Sequence, residues 1–544
     1  MQTTDQGIDV VVLGSGASGL CAALSAHGHG ARVVVLEKAE QLGGTSAWSG
    51  GMIWIPNNPH MRAAGIADSR EEALTYLTSL SHDLIPAELA EAFIDTGPEM
   101  VSWLEANTSV RFELVPDFPD YHPEFPGGKP GGGRSLECPL LSFDELGDDK
   151  HRVTVGTNYG TAPVRMVESN LGRAVPEPVT RQEQQRRARE DLRGCGQSLI
   201  GHLLRACQQR NIEVRTGCRA TDFIYREGAV RGIRYQRDDQ PWELESDSVI
   251  LATGGFEWNA ELVKTFLRGP MTHPVSVPSN EGDALLMCMR IGVSLGNMRE
   301  AWWMPAVEVP GADGPETRLF AAERARPRSI IVNRRGRRFT NEASNYNAFG
   351  AAFHEQDVAR FEYANLPCWF VFDQGYLDTF GFIDTAPGAA APNWLTSAPT
   401  LEHLAEQLGI DANGLTDSVA HWNSMSAAGH DDDFRRGESA HDTWWGDPEF
   451  KGTARATLGP LNQAPYYAIE VKSGALGTKG GPRTDANARV LNVDAAPISG
   501  LYAAGNVMAS AMGMTYGGAG GTLAPGMVFG FLAGRDAAQA LLDS

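Results

Sequence analysis

Residues 9–38 read DVVVLGSGASGLCAALSAHGHGARVVVLEK. The apolar run Val10 to Leu13 leads into Gly14-Ser15-Gly16-Ala17-Ser18-Gly19. A small-residue run, Leu20 to Ala26, follows, and a second apolar run, Val33 to Leu36, ends at Glu37 and Lys38. Two short apolar runs around a small-residue helix predict a βαβ unit, and the glycines match the dinucleotide fingerprint at its first turn. Gly14 makes the tight turn, Gly16 lets the backbone approach a pyrophosphate, and Gly19 lets helix and strand pack closely. Ala17 and Ser18 open the helix, whose free N–H groups and positive dipole end face the phosphates. Glu37 closes the second strand, placed to accept hydrogen bonds from a ribose, with Lys38 beside it. The unit reads as the site of a bound dinucleotide.

Directly after this unit comes Gly43-Gly44-Thr45-Ser46-Ala47-Trp48-Ser49-Gly50-Gly51. Two glycine pairs flanking hydroxyl residues suit a loop lying along a diphosphate, with Thr45 and Ser46 donating hydrogen bonds. Further on, a helix from Leu199 to Gln208 leads to a strand at Ile212 to Thr216 and a meander, Ala220 to Arg226 and Val230 to Gln236. A meander there would complete the adenine side of the site, with Ala220 at its start. Ser248 to Ala252 is a further strand, ending in Thr253-Gly254-Gly255, where backbone can pass close to a ligand. Near the end of the chain, Leu501 to Gly505 is a strand before another glycine turn and Asn506. Gly520-Gly521-Thr522-Leu523 then opens the final helix, whose N-terminus would stabilise negative charge on a reduced cofactor.

The chain has 544 residues, which makes two domains the natural prior. Its formal charge of −21, from 46 basic against 67 acidic residues, argues against nucleic acid as a partner. No apolar run approaches the ~18 residues of a membrane-spanning helix. A first strand starting by residue 9 leaves no signal peptide in the expectation. The seven cysteines, at 21, 138, 195, 207, 218, 288 and 368, form no CxxC pair and no metal spacing. They read as reduced, mostly buried thiols of a cytoplasmic protein.

Residues 57–107 carry apolar positions at helical spacing. In Pro116-Asp117-Phe118-Pro119-Asp120-Tyr121-His122-Pro123-Glu124, prolines on both sides hold Tyr121 in a stiff loop. Residues 142–194 are polar and charged and read as a solvated helix or mobile cover without chemistry. From about Asp283 the chain changes character: Trp302-Trp303-Met304-Pro305, a strand at Ser329 to Asn333, the run Thr340-Asn341-Glu342-Ala343-Ser344-Asn345-Tyr346, and a buried strand at Cys368 to Phe372. Residues 430–446 are expected to be loop. The expected organisation is α/β: residues 1–283 and 464–544 form a discontinuous Rossmann-like cofactor domain, and 284–463 an inserted α+β substrate domain.

The βαβ unit, the GGTSAWSGG loop, Ala252-Thr253-Gly254-Gly255 and Gly500-Leu501-Tyr502-Ala503-Ala504-Gly505-Asn506 together resemble the flavoprotein superfamily of fumarate reductases and 3-ketosteroid dehydrogenases. The resemblance covers nearly the whole chain and implies FAD, held noncovalently because the Gly43 to Gly51 loop carries no histidine. One fingerprint implies one flavin and a separate external electron acceptor, a quinone or a dye. Fumarate reductases resemble one another in a His-Gly-x-Asn-Arg stretch in the end segment, whose arginine holds a carboxylate. Here Met512-Gly513-Met514-Thr515-Tyr516 puts Tyr516 in that place, which disfavours a dicarboxylate.

The 3-ketosteroid Δ1-dehydrogenases are similar to this chain at Tyr121, Tyr346, Tyr516 and Gly520. That similarity implies an apolar cyclic ketone as substrate and a carbon–carbon double bond introduced beside its carbonyl. Tyr516 O–H and Gly520 N–H would hydrogen-bond the carbonyl oxygen where charge develops. Tyr346 would take the alpha proton, activated by its surroundings because a free tyrosine titrates near 10, with Tyr121 as its hydrogen-bond partner. Gly517, Gly518 and Ala519 stand where the family has prolines, which keeps a smaller cyclohexanone-type ketone open beside a steroid. A fumarate-reductase-like flavin reductase and a flavin-binding protein without turnover are the other readings.

Overall fold

Val10–Leu13 is buried at every position, as a strand covered on both faces of a parallel sheet must be. The computed structural model describes residues 2–3, 7–176, 178–312 and 314–542. Among them a ten-stranded sheet runs in the order Gln2–Thr3, Gln240–Glu245, Ala229–Arg237, Pro497–Ala503, Ser248–Leu251, Val10–Leu13, Val33–Leu36, Glu213–Arg215. Arg219–Arg226 pairs with Ala229–Arg237, and Arg489–Leu491 with Pro497–Ala503.

The centre of this sheet is parallel and closely in register. Leu251 stands beside Leu13 and Ala503, Leu13 beside Leu36, and Leu36 beside Arg215. The strands therefore end at one level, and Gly14, Glu37, Ala252 and Ala504 emerge together at their carboxyl ends, where open α/β sheets hold ligands.

Two helices cover one face. Ala17–Gly28 packs against Leu523–Ala540, and Gly526, Gly530 and Gly534 form the contact stripe. An ideal Cβ on Gly530 would fall 2.4 Å from the Ser18 carbonyl oxygen, and one on Gly534 2.3 Å from that of Ala22. The helix backbones meet directly, which only glycine permits.

A second, seven-stranded sheet runs Gly314–Leu319, Ala301–Gly311, Tyr466–Thr478, Cys368–Asp373, Ser329–Asn333, with His273–Pro274 and Thr396–Ala398 also on Tyr466–Thr478. Phe370, Phe372, Tyr376 and Phe382 pack together in one buried cluster on this sheet, and Ile330, Val371 and Trp422 in another. Tyr466–Thr478 thus lies past the expected boundary at 464 yet pairs within this sheet. No helix among the described residues is long and apolar enough to cross a membrane.

Some local expectations change. The glycine stretch after the second strand contains a short helix, Gly44–Trp48, entered through left-handed Gly43 at φ 92°. The helix expected from Leu199 opens at Cys195, after an extended Gly194. In the stretch expected to be loop, Ala440–Trp444 is helical and mostly buried, because its aromatics have a wall to cover.

Candidate active site

The carboxyl ends of the parallel strands open into a cavity of about 450 Å³ that continues beneath the second sheet. Gly14, Gly16, Ser18, Glu37, Lys38, Gly44, Thr45, Ser46, Gly50 and Gly51 line it from the first part of the chain. Ala220, Thr253, Gly254, Gly505, Asn506, Thr522 and Leu523 line it from later elements. Ala17, Gly19, Gly43 and Gly521 lie behind the wall. Gly19 is a packing position, since a Cβ there would sit 2.0 Å from the Gly14 carbonyl oxygen. Ala17 N–H donates to Ser46 Oγ at 3.1 Å, and Gly521 N–H to the Gly518 carbonyl at 2.9 Å.

The first turn is built to hold Glu37. Its Oε2 accepts from Ser15 N–H at 2.9 Å and from Ser15 Oγ at 2.7 Å, and its Oε1 from Ala39 N–H at 2.9 Å. Lys38 turns the other way, onto Glu281 and Asp283 at 2.8 Å each. Neither Ala17–Gly28 nor Leu523–Ala540 has a side-chain N-cap. Gly16 and Thr522, which open these helices, both line the cavity. Two helix N-termini whose own N-cap residues give no side-chain cap, a fixed carboxylate to accept from a ribose, and glycine turns without side chains are what a dinucleotide diphosphate and ribose require. The residues present fit FAD.

Past this cradle stand the tyrosines. Tyr121, Tyr346 and Tyr516 are 4 %, 7 % and 2 % exposed. The Tyr121 ring centre lies 4.9 Å from that of Tyr516 and 5.4 Å from that of Tyr346, and Tyr346 and Tyr516 are 5.3 Å apart. All three line the cavity, as does Gly520 at φ 100°, where a Cβ would stand 2.5 Å from the Met52 carbonyl oxygen. Tyr121 O–H donates to the Tyr346 hydroxyl at 3.0 Å, and the Tyr516 and Thr522 hydroxyls are 3.4 Å apart.

Each tyrosine is placed by buried polar structure. Beside Tyr121, Asp120 accepts from Trp54 Nε1 at 2.7 Å, Lys129 N–H at 2.9 Å and Arg134 Nη1 at 2.8 Å. Tyr121 N–H in turn donates to the Gly517 carbonyl at 3.0 Å, joining its loop to the segment that carries Tyr516. Tyr346 opens the helix Tyr346–Ala352, capped by Asn345, whose amide also reaches the Tyr121 carbonyl at 3.2 Å. Upstream, Arg338 makes paired contacts to Glu342 and to Asp431, with Arg436 on Glu342 at 3.1 Å. Arg324 donates to the Glu342 and Ser344 carbonyls.

Burial pushes all three phenols above the ordinary value of 10.0, Tyr121 and Tyr346 well above it. This runs against the activation expected for Tyr346, because a desolvated phenolate is costly. The Tyr121 and Tyr516 hydroxyls beside it push Tyr346 in the same direction. His122 and His441 flank the pair and are held neutral, lowered by burial to about 4 and about 3.

Several residues at the site had no sequence signal strong enough to single them out. Trp445 stacks on Tyr346 with ring centres 5.8 Å apart and planes at 16°. Trp302 meets Tyr516 edge-on at 5.0 Å. Tyr159, Met166 and Leu171 reach the cavity from the segment read as a cover without chemistry. A charged stretch hides such residues because composition averages over them.

A family model described as FAD binding domain matches residues 9–523. The 4-oxocyclohexanecarboxylate 2-dehydrogenase of Sinomonas cyclohexanicum is 41% identical over 537 residues, covering 97% of this chain and 92% of that protein. The 3-oxosteroid 1-dehydrogenase of Mycobacterium tuberculosis is 39% identical over 565 residues, covering 97% of this chain and 98% of that protein. Among solved structures, the 3-ketosteroid Δ1-dehydrogenase from Sterolibacterium denitrificans in complex with 1,4-androstadiene-3,17-dione superposes with a TM-score of 0.89 at 34% identity, covering 99% of this chain and 100% of that one.

Proposed function

The chain belongs to the FAD binding domain family, and from that premise we propose that it is an FAD-dependent dehydrogenase of the 3-ketosteroid Δ1 type, introducing a double bond alpha,beta to a ring ketone. The observation that carries this reading is the convergence of Tyr121, Tyr346, Tyr516 and Gly520 on one buried wall beside the dinucleotide cradle. FAD would be held by the turn at Gly14 and Gly16, by Glu37 and by the helix end at Thr522, and would supply an acceptor for the beta hydrogen as hydride, with a quinone or a dye as the external electron acceptor. Tyr516 O–H and Gly520 N–H bind the ketone oxygen and stabilise the charge that develops there. Tyr346 Oη takes the alpha proton, and Tyr121, donating at 3.0 Å, stabilises the resulting phenolate. Trp445 and Trp302 pack against these phenols and keep water from them. In this reading residues 1–283 and 464–544 hold the cofactor, noncovalently, and 284–463 cover the substrate. Seven buried, free cysteines support a reducing cytoplasm.

A smaller ring is the second reading, favoured by the 41% identity to a dehydrogenase of a cyclohexanone carboxylate. Arg318, on the cavity wall, is a cation that an anionic ketone could meet, though Glu316 and Asp384 already engage it at 3.0 and 3.3 Å. Anaerobic mixing of the flavin-loaded protein with 3-ketosteroids, cyclohexanones and 4-oxocyclohexanecarboxylate decides between them. Bleaching by steroids alone supports the first reading, and bleaching by the small acid alone supports the second. A flavin left yellow by every ketone, yet turning over an enoate with reduced dye, overturns both.

A further inference from the structure

A lysine ammonium is seldom buried unless paired. Lys479 is 0% exposed. Its Nζ donates to the Thr515 carbonyl at 2.7 Å and lies 4.0 Å from the centre of the Trp302 ring. Glu300, the acid that bears on it, is itself engaged by Arg268 at 3.4 Å and by Trp303 Nε1 at 3.1 Å. Burial lowers the ammonium to about 7, with Glu300 raising it and Arg268 lowering it further. The backbone is pinned on both sides: Lys479 N–H donates to the Glu300 carbonyl and Ser510 N–H to the Lys479 carbonyl, each at 2.9 Å. The side chain is therefore aimed by the fold, at a cost that an apolar residue of the same length would avoid.

Both of its partners are neighbours of Tyr516. Thr515 precedes Tyr516 in the chain, and Trp302 meets the Tyr516 ring edge-on while its Nε1 donates to Asn506 Oδ1 at 2.9 Å. Lys479, Trp302, Asn506 and Thr522 also share a small cleft, and Thr522 is the residue whose hydroxyl faces that of Tyr516. Lys479 is not on the wall of the main cavity.

We propose that Lys479 is a positioning residue for the ketone-binding end of the site, fixing Tyr516 through the Thr515 carbonyl and the Trp302 ring and setting a positive charge behind the oxygen where negative charge develops. This rests on the reading of Tyr516 as a donor to the ketone. Loss of one such donor costs about 10²–10³ in rate, so a residue acting through it costs less, about 10- to 100-fold, and only while the donor is present.

The test is a double-mutant cycle in the FAD-loaded protein with Lys479→Met and Tyr516→Phe, read as the rate constant of flavin reduction and the ketone Kd in anaerobic stopped flow. Expected is a loss for Lys479→Met that falls on the rate constant and not on Kd, with FAD content and Tm held, and that vanishes in the Tyr516→Phe background. Lys479→Arg, which keeps the charge, should recover part of the rate. Additive losses, or a Lys479→Met rate equal to wild type, overturn the proposal. If Lys479→Met sheds FAD, the Lys479→Arg cycle decides by the same criterion. A Tyr516→Phe variant with undiminished rate would remove the underlying reading of the site instead.

Discussion

Tyr346 is asked to act as a base from a position where burial favours its neutral form. The reactive form is the deprotonated one, and its ordinary value of 10.0 is moved upward, so in Lys479→Met, where the ammonium lowered to about 7 no longer titrates, the rate of flavin reduction should climb with pH across the neutral and mildly alkaline range without levelling off below about 10. A plateau near neutrality would assign the base to another group. Substitution separates the roles further. Tyr346→Phe should cost about 10²–10⁴ in rate, as loss of a general base does, and should abolish deuterium wash-in at the ketone alpha carbon by NMR. Tyr516→Phe should cost about 10²–10³, Gly520 N–H remaining as the other donor. FAD content should be unchanged in both, because neither side chain belongs to the glycine turns. Tyr346→Phe exchanging the alpha proton at the wild-type rate would take it out of the chemistry. These residues were legible because three tyrosines and a glycine stood at four family positions in one order. Their electrostatic setting was not, because burial depends on Trp445 and His441, which come from a stretch whose composition looks like loop.

At the scale of elements, the segment before Tyr346 is held by charges from two distant stretches. Arg338 and Glu342 stand four residues apart, but Asp431 and Arg436 join them across 93 and 94 residues of chain, so the sequence could offer the short strand and the helix but not the cluster between them. Burial pushes Glu342 up, yet Arg338 and Arg436 outweigh it and hold the carboxyl below its ordinary 4.5. A carboxylate with a depressed folded value contributes stability that is present above the unfolded value and lost as pH falls below it. Removing Glu342 leaves two buried guanidinium groups short of a partner, a change worth about 3–5 kcal/mol. Glu342→Ala should therefore lower Tm strongly at pH 7 and show a flatter Tm against pH below 4.5 than wild type. Parallel curves offset by a constant would mean that the carboxylate titrates alike in the folded and the unfolded chain.

The whole molecule joins a sheet with a parallel centre, at whose carboxyl ends the cavity opens, to a second sheet that is mostly antiparallel. The first half was readable because a βαβ unit is local: its glycines, strands and closing acid lie within residues 9–38. The second was not, since Tyr466–Thr478 pairs with strands more than a hundred residues upstream, and no short-range pattern announces such a partner. The same architecture bears on the electron acceptor. A nicotinamide dinucleotide needs its own glycine turn at the carboxyl end of a parallel strand, with a helix N-terminus behind it. Among the described residues the fingerprint turn follows one parallel strand, Val10–Leu13, and the antiparallel pairs at the centre of the second sheet supply no such crossover. Reducing equivalents should therefore leave through a small acceptor that reaches the flavin. Ketone oxidation should proceed with a quinone or an artificial dye and stand still with NAD or NADP, followed by acceptor absorbance under anaerobic conditions. Sustained NADH formation from the ketone would require a second dinucleotide site and would break the link drawn here between one glycine turn and one cofactor.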